Sequence, residues 1–565
     1  MQDYPVLTLP ALLNQSVEKF GKQPAVSFVG ETPLSYAEFD NRKLALISLL
    51  EQLGIQPGDR VALLSANMPH WGITYFAIAS MGAVVVPILP DFSVTEIENV
   101  LQHSEAKAIF VSKGLKAKID SFKNDSLLHR ILIEDFSVLE TNSQGAQFEE
   151  GLKPEKNYTV DEDNLAVIIY TSGTTGKSKG VMLTHKNIAS NAVASRNIQE
   201  INSNDRFLSV LPLSHTYENT IGFILPLICG ASIAYIKKPP TPAVLLPALK
   251  TVRPTLMLTV PLIIEKIYRS KVLPTFTKSK LMRILYTIPP IRKKFNKIAG
   301  KKLMKTFGGE LKFFGIGGAK LDKTVEKFLR EAKFPYAIGY GLTETSPLLA
   351  GVNALNTRLQ STGPPLEGVS LKINNAGKLT GEGEIWAKGP NVMKGYYKEP
   401  ELTREVLTED GWFKTGDLGI LDDTNYLYIR GRSKNVIIGP GGENIFPEDI
   451  ESVINNFKHV AESLVIQQKG KLVAMVHFNR EEIESKYQHL KGEFSEFSDF
   501  AEEKYEELSK ELREYVNARV NKFSKIQDVM LQKEEFVKTA TKKIKRFLYS
   551  GTQPSTNKEK HPSSV

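Results

Sequence analysis

The stretch LAVIIYTSGTTGKSKGVMLTH, residues 165–185, decides how the rest of the chain is read. Its first six residues are an apolar, β-branched run suited to a buried strand. In the residues that follow, Thr171, Ser172, Thr174, Thr175 and Ser178 are interleaved with Gly173, Gly176 and Gly180. That composition is a phosphate loop: glycines let backbone approach an anion, hydroxyls and amide N–H groups donate to phosphate oxygens, and Lys177 and Lys179 add charge.

Gly176, Lys177 and Ser178 match the second half of the G-x-x-x-x-G-K-[ST] loop of nucleotide hydrolases, but Thr171 stands where that loop begins with glycine. The stretch instead resembles YTSGTTGKPKGVMLTH, the signature of the acyl-adenylate-forming superfamily, with Ser178 as the one departure. That superfamily includes acyl-CoA synthetases, peptide-synthetase adenylation domains and luciferases. The resemblance implies an α/β fold: a large N-terminal domain of two βα-layered subdomains plus a β-barrel-like section, followed by a small mobile α+β C-terminal domain. It also implies a nucleotide phosphate site at Thr171, Ser172, Gly173, Thr174, Thr175, Gly176 and Lys179.

Outward from that loop, further segments match the same superfamily. Tyr340-Gly341-Leu342-Thr343-Glu344-Thr345 matches its second signature; by resemblance Glu344 helps hold Mg²⁺, Thr343 faces the α-phosphate and Tyr340 stacks on adenine. One carboxylate suffices for Mg²⁺ because phosphate oxygens and waters complete its octahedron. Gly315-Ile316-Gly317-Gly318-Ala319 is similar to the adenine-side loop, which places Gly317, Gly318 and Ala319 against the purine. WFKTGD, ending at Asp417, matches the third signature, whose aspartate accepts from both ribose hydroxyls. In YIRGRSK, residues 428–434, the resemblance has Arg432 reach the ribose and makes Lys434 the pivot of the small domain. Gly442, within GGENI, corresponds to the loop lining the pantetheine passage, where a side chain would obstruct a narrow thiol-bearing arm. KTATKKIKR, residues 538–546, aligns with a family pattern that makes Lys543 the catalytic lysine, with Lys542 where glycine is common. His215, in LPLSHTYEN, corresponds to a wall of the acyl pocket near the carboxylate.

Composition agrees with a globular protein. At 565 residues the chain exceeds one ordinary core, and the reading divides it into residues 1–432, residues 433–550 with the hinge at Lys434, and a disordered tail over 551–565. The single cysteine, Cys229, allows no internal disulfide and fits a reducing compartment. MQDYPVLTLP lacks the pattern of a secretory signal, and the longest apolar run, Phe223 to Ile236, is fourteen residues broken by proline and glycine, short of the roughly 20 a membrane span needs. The expected location is cytoplasmic, with peripheral contact at the inner face of a membrane as an option.

Ser35 with Glu38 reads as a capping box that opens a helix ended by Gly54. Short apolar runs then recur with the rhythm of βα units. Residues 464–467 and 472–478 read as strands joined across Lys469-Gly470, near a long charged helix from roughly 481 to 523.

The net charge of +9 is uneven: residues 266–309 hold thirteen Lys or Arg and no acid. Leu281, Ile284, Leu285 and Ile288 fall on one helical face in that segment. The favoured reading packs the stripe on the protein's own core with solvated cations around it; docking on an anionic membrane is the alternative. Nucleic acid is not expected, since no aromatic-basic module accompanies the charge.

The expected chemistry is ATP-dependent activation of a fatty acid, long chain by resemblance, to acyl-AMP, followed by thioester formation with coenzyme A. A carrier-protein pantetheine as acceptor and a catalytically silent lipid-binding or membrane-surface protein remain as alternatives. Oligomeric state is open, a homodimer being one option.

Overall fold

The computed structural model describes residues 4–171, 178–377, 380–439, 443–479, 497–539 and 543–549, with backbone alone over 497–504. These form two compact units. Residues 4–171, Ser178–Thr415 and Gly419–Ile429 make the first; Gly416–Leu418 and the residues from Arg430 on make the second.

Two large sheets frame the first unit. One has eight strands in the order Gly395–Tyr396, Lys179–Thr184, Leu165–Thr171, Val84–Ile88, Arg60–Leu64, Ala108–Val111, His129–Leu132 and Val138–Glu140. Its centre is parallel, and only the strands at its two sides run antiparallel to their neighbours. The other has seven: Tyr336–Ile338, Phe313–Ile316, Leu256–Thr259, Arg206–Ser209, Ser232–Tyr235, Pro24–Phe28 and Leu34–Ser35, parallel except for the last pair. The short apolar runs of the sequence fall on these strands, their length and β-branched content suiting strands buried on both faces.

A shared core lies between the sheets. The helix Pro69–Ser80 is buried on nearly every side, and a Cβ on Gly72 would stand 2.5 Å from the Phe223 ring, so glycine there permits the close approach. Alternation along the strands of the second sheet sends Leu256 and Leu258 into this core and Met257 to a second core on the opposite face. The capping box at Ser35 and Glu38 is formed and starts the helix Tyr36–Gln52. An earlier helix, Leu9–Phe20, capped by Thr8 with proline in its first turn, was not expected; the Thr8-Leu9-Pro10 start and the buried Leu9, Leu12, Leu13 and Ser16 are its signal in the sequence.

Ser370–Asn374, Gly383–Lys388, Phe413–Leu421 and Leu427–Arg432 form a four-stranded sheet in that order. In the second unit, Val460–Gln468 and Lys471–Phe478 pair antiparallel, and Asp528–Leu531 adds in parallel. Lys469 and Gly470 both take positive φ, the demand a tight hairpin makes. The helices Pro447–Ile454 and Phe497–Asn517 cover this sheet through Ile450, Ile454, Leu508, Leu512 and Val516. The expected charged helix is seen from Phe497 to Asn517; its anticipated start near 481 and the tail 551–565 lie outside the described residues.

The basic segment differs from the favoured reading. Leu281 and Ile284 are 66% and 62% exposed and Ile288 is exposed as well. The face of the helix Lys280–Thr287 that packs inward carries Met282 and Tyr286, four residues apart and both against the second core. Larger side chains flanking the stripe, rather than the stripe, fill the space available.

Candidate active site

The strands Leu165–Thr171 and Lys179–Thr184 bring the two ends of the phosphate loop side by side, with Thr171 opposite Lys179. Ser172, Gly173, Thr174, Thr175 and Gly176 lie outside the described residues. Gly180 is required by packing: a Cβ there would stand 2.9 Å from Ile168 and 3.2 Å from the Tyr170 ring. Thr184 then caps the helix His185–Ser195. His185 is fully buried, and its Nδ1 accepts the Leu9 backbone N–H at 3.3 Å. Burial pushes that imidazole down to about 4, so the last residue of the signature is a neutral tie to the first helix.

That helix positions Glu344. Asn191, 1% exposed, donates to the Leu348 carbonyl at 2.7 Å and accepts the Leu348 N–H at 3.1 Å. Asn391, equally buried, donates to the carbonyls of Thr345 and Leu348. Two amides thus hang the Thr343–Thr345 turn, and Gly341 lets it close, since a Cβ there would collide with the Pro347 carbonyl. The Glu344 carboxylate accepts from the Tyr396 hydroxyl at 2.9 Å, and Lys179 Nζ lies 5.3 Å from the centre of the same ring. Tyr396 therefore stands between the end of the phosphate loop and the carboxylate of the second signature. Sequence reasoning passed over it; the signal was Gly395-Tyr396 following a strand and returning to the sheet edge beside Val181.

Among the described residues no group of three or more His, Cys, Asp or Glu could hold a metal by itself. A single carboxylate held by one phenol suits Mg²⁺, which keeps waters and phosphate oxygens as its other ligands.

Gly317 donates its N–H to the Thr259 carbonyl, and Gly339 donates to the Ile316 carbonyl. A Cβ on Gly315 or Gly317 would lie 2.9 Å or 3.1 Å from Tyr217, so this glycine loop and the His215 segment meet over one ring. Gly318 has φ of +83° and is exposed with Ala319. Tyr340 is buried among Leu349, Ala350, Ile385, Ala387 and Leu427. His215 is half-buried, its Nδ1 accepting the Tyr217 N–H at 3.3 Å.

Beside Tyr217 lies a small apolar cavity, part of it open to solvent, lined among others by Ile221, Leu258, Gly315, Gly339 and Leu348. Leu348 opens the strand that follows the turn carrying Glu344, and the Asn191 and Asn391 amides that hold that turn also hold Leu348. Next to Tyr217, Glu218 opens a π-helical stretch, Glu218–Ile224, and is buried. Its Oε1 accepts from Ser209 at 2.5 Å, and burial pushes its carboxyl up to about 8, so it is a neutral acid.

In the second unit, Asp417 is 6% exposed and accepts from Arg432 Nε at 2.9 Å. Ser433 donates to the Gly416 carbonyl, and Lys434 sits exposed in the turn Ser433–Asn435. Lys543 is exposed at one end of a small loop closed by a bridge between Lys538 and Ile544. Thr539 N–H donates to the Lys543 carbonyl at 2.8 Å, Ile544 packs with Leu464, Val473 and Phe536, and Arg546 pairs with Glu451. Lys538, Thr539, Ile544 and Arg546, described residues flanking Lys543, thereby support it. Gly442 lies outside the described residues, as does Lys542.

A match to the family described as AMP-binding enzyme covers residues 13–397. This chain belongs to the AMP-binding enzymes. It is similar to the chloroplastic long-chain-fatty-acid–[acyl-carrier-protein] ligase AEE15 of Arabidopsis thaliana, 28% identical over 84% of this chain and 76% of the relative. It is also similar to the long-chain-fatty-acid–CoA ligase FadD15 of Mycobacterium tuberculosis, 30% identical over 77% of this chain and 75% of the relative. Among solved structures it resembles the ATP-bound RpMatB-BxBclM chimera B1, with TM-score 0.75, 25% identity, and 96% of this chain and 98% of the other covered. The fold also matches O-succinylbenzoate coenzyme A synthetase of Bacillus subtilis in complex with AMP, with TM-score 0.73, 22% identity, and 96% and 99% covered. As an AMP-binding enzyme the chain is an adenylate-forming ligase with an ATP-binding fold. Among its described residues no helix is long and apolar enough to cross a membrane.

Proposed function

We propose that this enzyme activates a long-chain fatty acid with ATP and passes the acyl group to coenzyme A. The observation that carries the reading is the apolar cavity lined in part by Leu348, which opens the strand just after the turn that bears Glu344: its lining holds Ser195, Gln199 and Tyr217 as polar residues and no charged one. An amino acid or a dicarboxylate would need a charged partner there; an alkyl chain does not.

In the first step a carboxylate oxygen attacks the α-phosphorus of ATP, the bond to the β-phosphate oxygen breaks, and pyrophosphate leaves. Bound Mg²⁺ would neutralise phosphate charge, with Glu344 as the residue to hold it and Tyr396 to orient that carboxylate. Lys179 supplies positive charge at the foot of the phosphate loop, and Lys543 supplies the cation at the reacting phosphate. Asp417 accepts from the ribose, with Arg432 beside it. In the second step the coenzyme A thiolate attacks the acyl carbon and AMP leaves, the small domain having turned about Lys434 and Gly442 lining the thiol's passage.

A carrier-protein pantetheine as acceptor is favoured by one relative, the Arabidopsis protein named for that reaction. Fatty-acid-dependent ATP–pyrophosphate exchange over a chain-length series tests the first step. Thioester formation with coenzyme A and with acyl carrier protein, run in parallel, tests the second. We expect exchange to rise with chain length and the thioester to form with coenzyme A; exchange with no acid would remove the reading, and product on carrier protein alone would reassign the acceptor.

A further inference from the structure

The crossover between Leu256–Thr259 and Phe313–Ile316 contains the helices Lys280–Thr287 and Pro289–Thr306 and the whole basic segment. Of its thirteen cations, only Arg269, with Glu265, and Arg292, with Glu331, form ion pairs among the described residues. The helix Lys280–Thr287 is anchored from within: Tyr286 donates to Asn296 at 2.8 Å and stacks on Phe276 at 5.1 Å. With its inner face so satisfied, its outer face would ordinarily be polar. Instead it presents Leu281, Ile284 and, just past its end, Ile288, with Ile298 59% exposed on the next helix. Lys278, Lys280, Arg283, Lys293, Lys294 and Lys297 are exposed around them.

We propose that this face docks on an anionic lipid surface. Leu281, Ile284 and Ile288 enter the boundary between headgroups and acyl chains, and the surrounding cations meet lipid phosphates. Charge complementarity selects this occupant. A second copy would bring an all-basic face against its like, because residues 266–309 hold no acid to answer it. A nucleic acid would use the cations and leave the leucine and isoleucines in water.

Docking is independent of the acyl chemistry. Alternation along the sheet places the cavity on the face of Leu256 and Leu258 and these helices on the face of Met257 and Phe314.

Co-sedimentation of the full chain with vesicles tests the proposal without any turnover. Vesicles of phosphatidylglycerol and phosphatidylcholine in equal parts are compared with phosphatidylcholine alone. We expect binding about tenfold tighter on the anionic vesicles, released by salt near 1 M, where the Debye length is about 3 Å. The variants L281S/I284S and K280E/R283E, checked for an unchanged thermal midpoint, should each lose about tenfold in binding, the first showing that apolar insertion and not charge alone is at work. Equal binding to both vesicle types, or variants that sediment like the parent, overturns the proposal. So does a change of oligomeric state in the variants with vesicle binding intact, or a vesicle-bound protein displaced as readily by RNA as by salt.

Discussion

Tyr396 shows how one hydroxyl can set the placement of a carboxylate 52 residues away in sequence. It donates to Glu344 and offers its ring to Lys179, so Y396F removes a charge-assisted bond and leaves the packing intact. Such bonds contribute about 1.5–3 kcal/mol, and exchange at limiting Mg²⁺ should fall about tenfold or more, with partial recovery at high Mg²⁺; an unchanged rate would detach Tyr396 from the site. Glu218 makes a prediction in pH. The unfolded carboxyl releases its proton in the ordinary range while the folded one holds it up to about 8, so the folded state binds more protons between those values. Stability therefore declines as pH rises through that window, by at most about 1.4 kcal/mol per pH unit, and the decline ends above it. E218Q has no proton to lose, so between about pH 5 and pH 9 its thermal midpoint should gain on that of the parent; a constant difference would show that Glu218 is not buried as a neutral acid. Glu344, Asp417 and Lys543 stand out in the sequence as candidates because each lies in a motif. Tyr396, Asn191 and Asn391 do not, because their roles come from backbone atoms and side chains distant in sequence.

Secondary structure was largely readable where local chemistry decides it. The Ser35–Glu38 box, the Lys469-Gly470 hairpin and the strand Phe313–Ile316 stand where propensity and turn chemistry put them. Two elements escaped for tertiary reasons. The π-helical Glu218–Ile224 exists where Gly222 admits the Glu218 carboxyl, 2.7 Å from where a Cβ would sit, and no periodicity announces that widening. The orientation of Lys280–Thr287 depended on which of two apolar faces found a pocket, and Met282 with Tyr286 won. The cavity belongs to this scale as well. Gly339 has Leu348 Cδ1 as its nearest neighbour, 3.0 Å from a would-be Cβ, so G339V should occupy the lining and disfavour the longest acids. One or two methylenes of lost fit amount to about 1–3 kcal/mol; kcat/KM for the longest substrates should drop about tenfold or more relative to short ones. A uniform fall across chain lengths would place the acyl group elsewhere. N191A leaves the Leu348 carbonyl and N–H without the amide that serves both; it should cost about 1–3 kcal/mol of stability, read by thermal unfolding, and lower exchange with it.

At the scale of the molecule, the candidate site residues fall in both units: Lys179, Glu344 and the apolar cavity in one, Asp417, Arg432 and Lys543 in the other. A two-step ligase has a use for that division, since one cation is needed for adenylate formation and then has no task in thioester formation. K543A should accordingly lose about 10²–10³ in pyrophosphate exchange while converting preformed acyl-AMP to thioester at close to the parent rate; equal loss of both would mean that Lys543 serves the fold or both steps alike. The family was legible in one stretch of signature; the division read at Arg432 from the change in character of the chain is an expectation, and the second compact unit takes in Gly416–Leu418 and the residues from Arg430 on. Chain length was not evident, because the cavity lined by Leu258, Gly315 and Leu348 is displayed by no single stretch of sequence, and the acceptor was not evident, because no stretch displays a site for the 3′-phosphate of coenzyme A. The central claim is that a fatty carboxylate attacks the α-phosphorus of ATP. Turnover of a fatty acid carrying ¹⁸O in its carboxylate, followed by mass analysis of the released AMP, tests it most directly. One labelled oxygen in AMP is the predicted result; AMP without label, or label in inorganic phosphate instead, would contradict it.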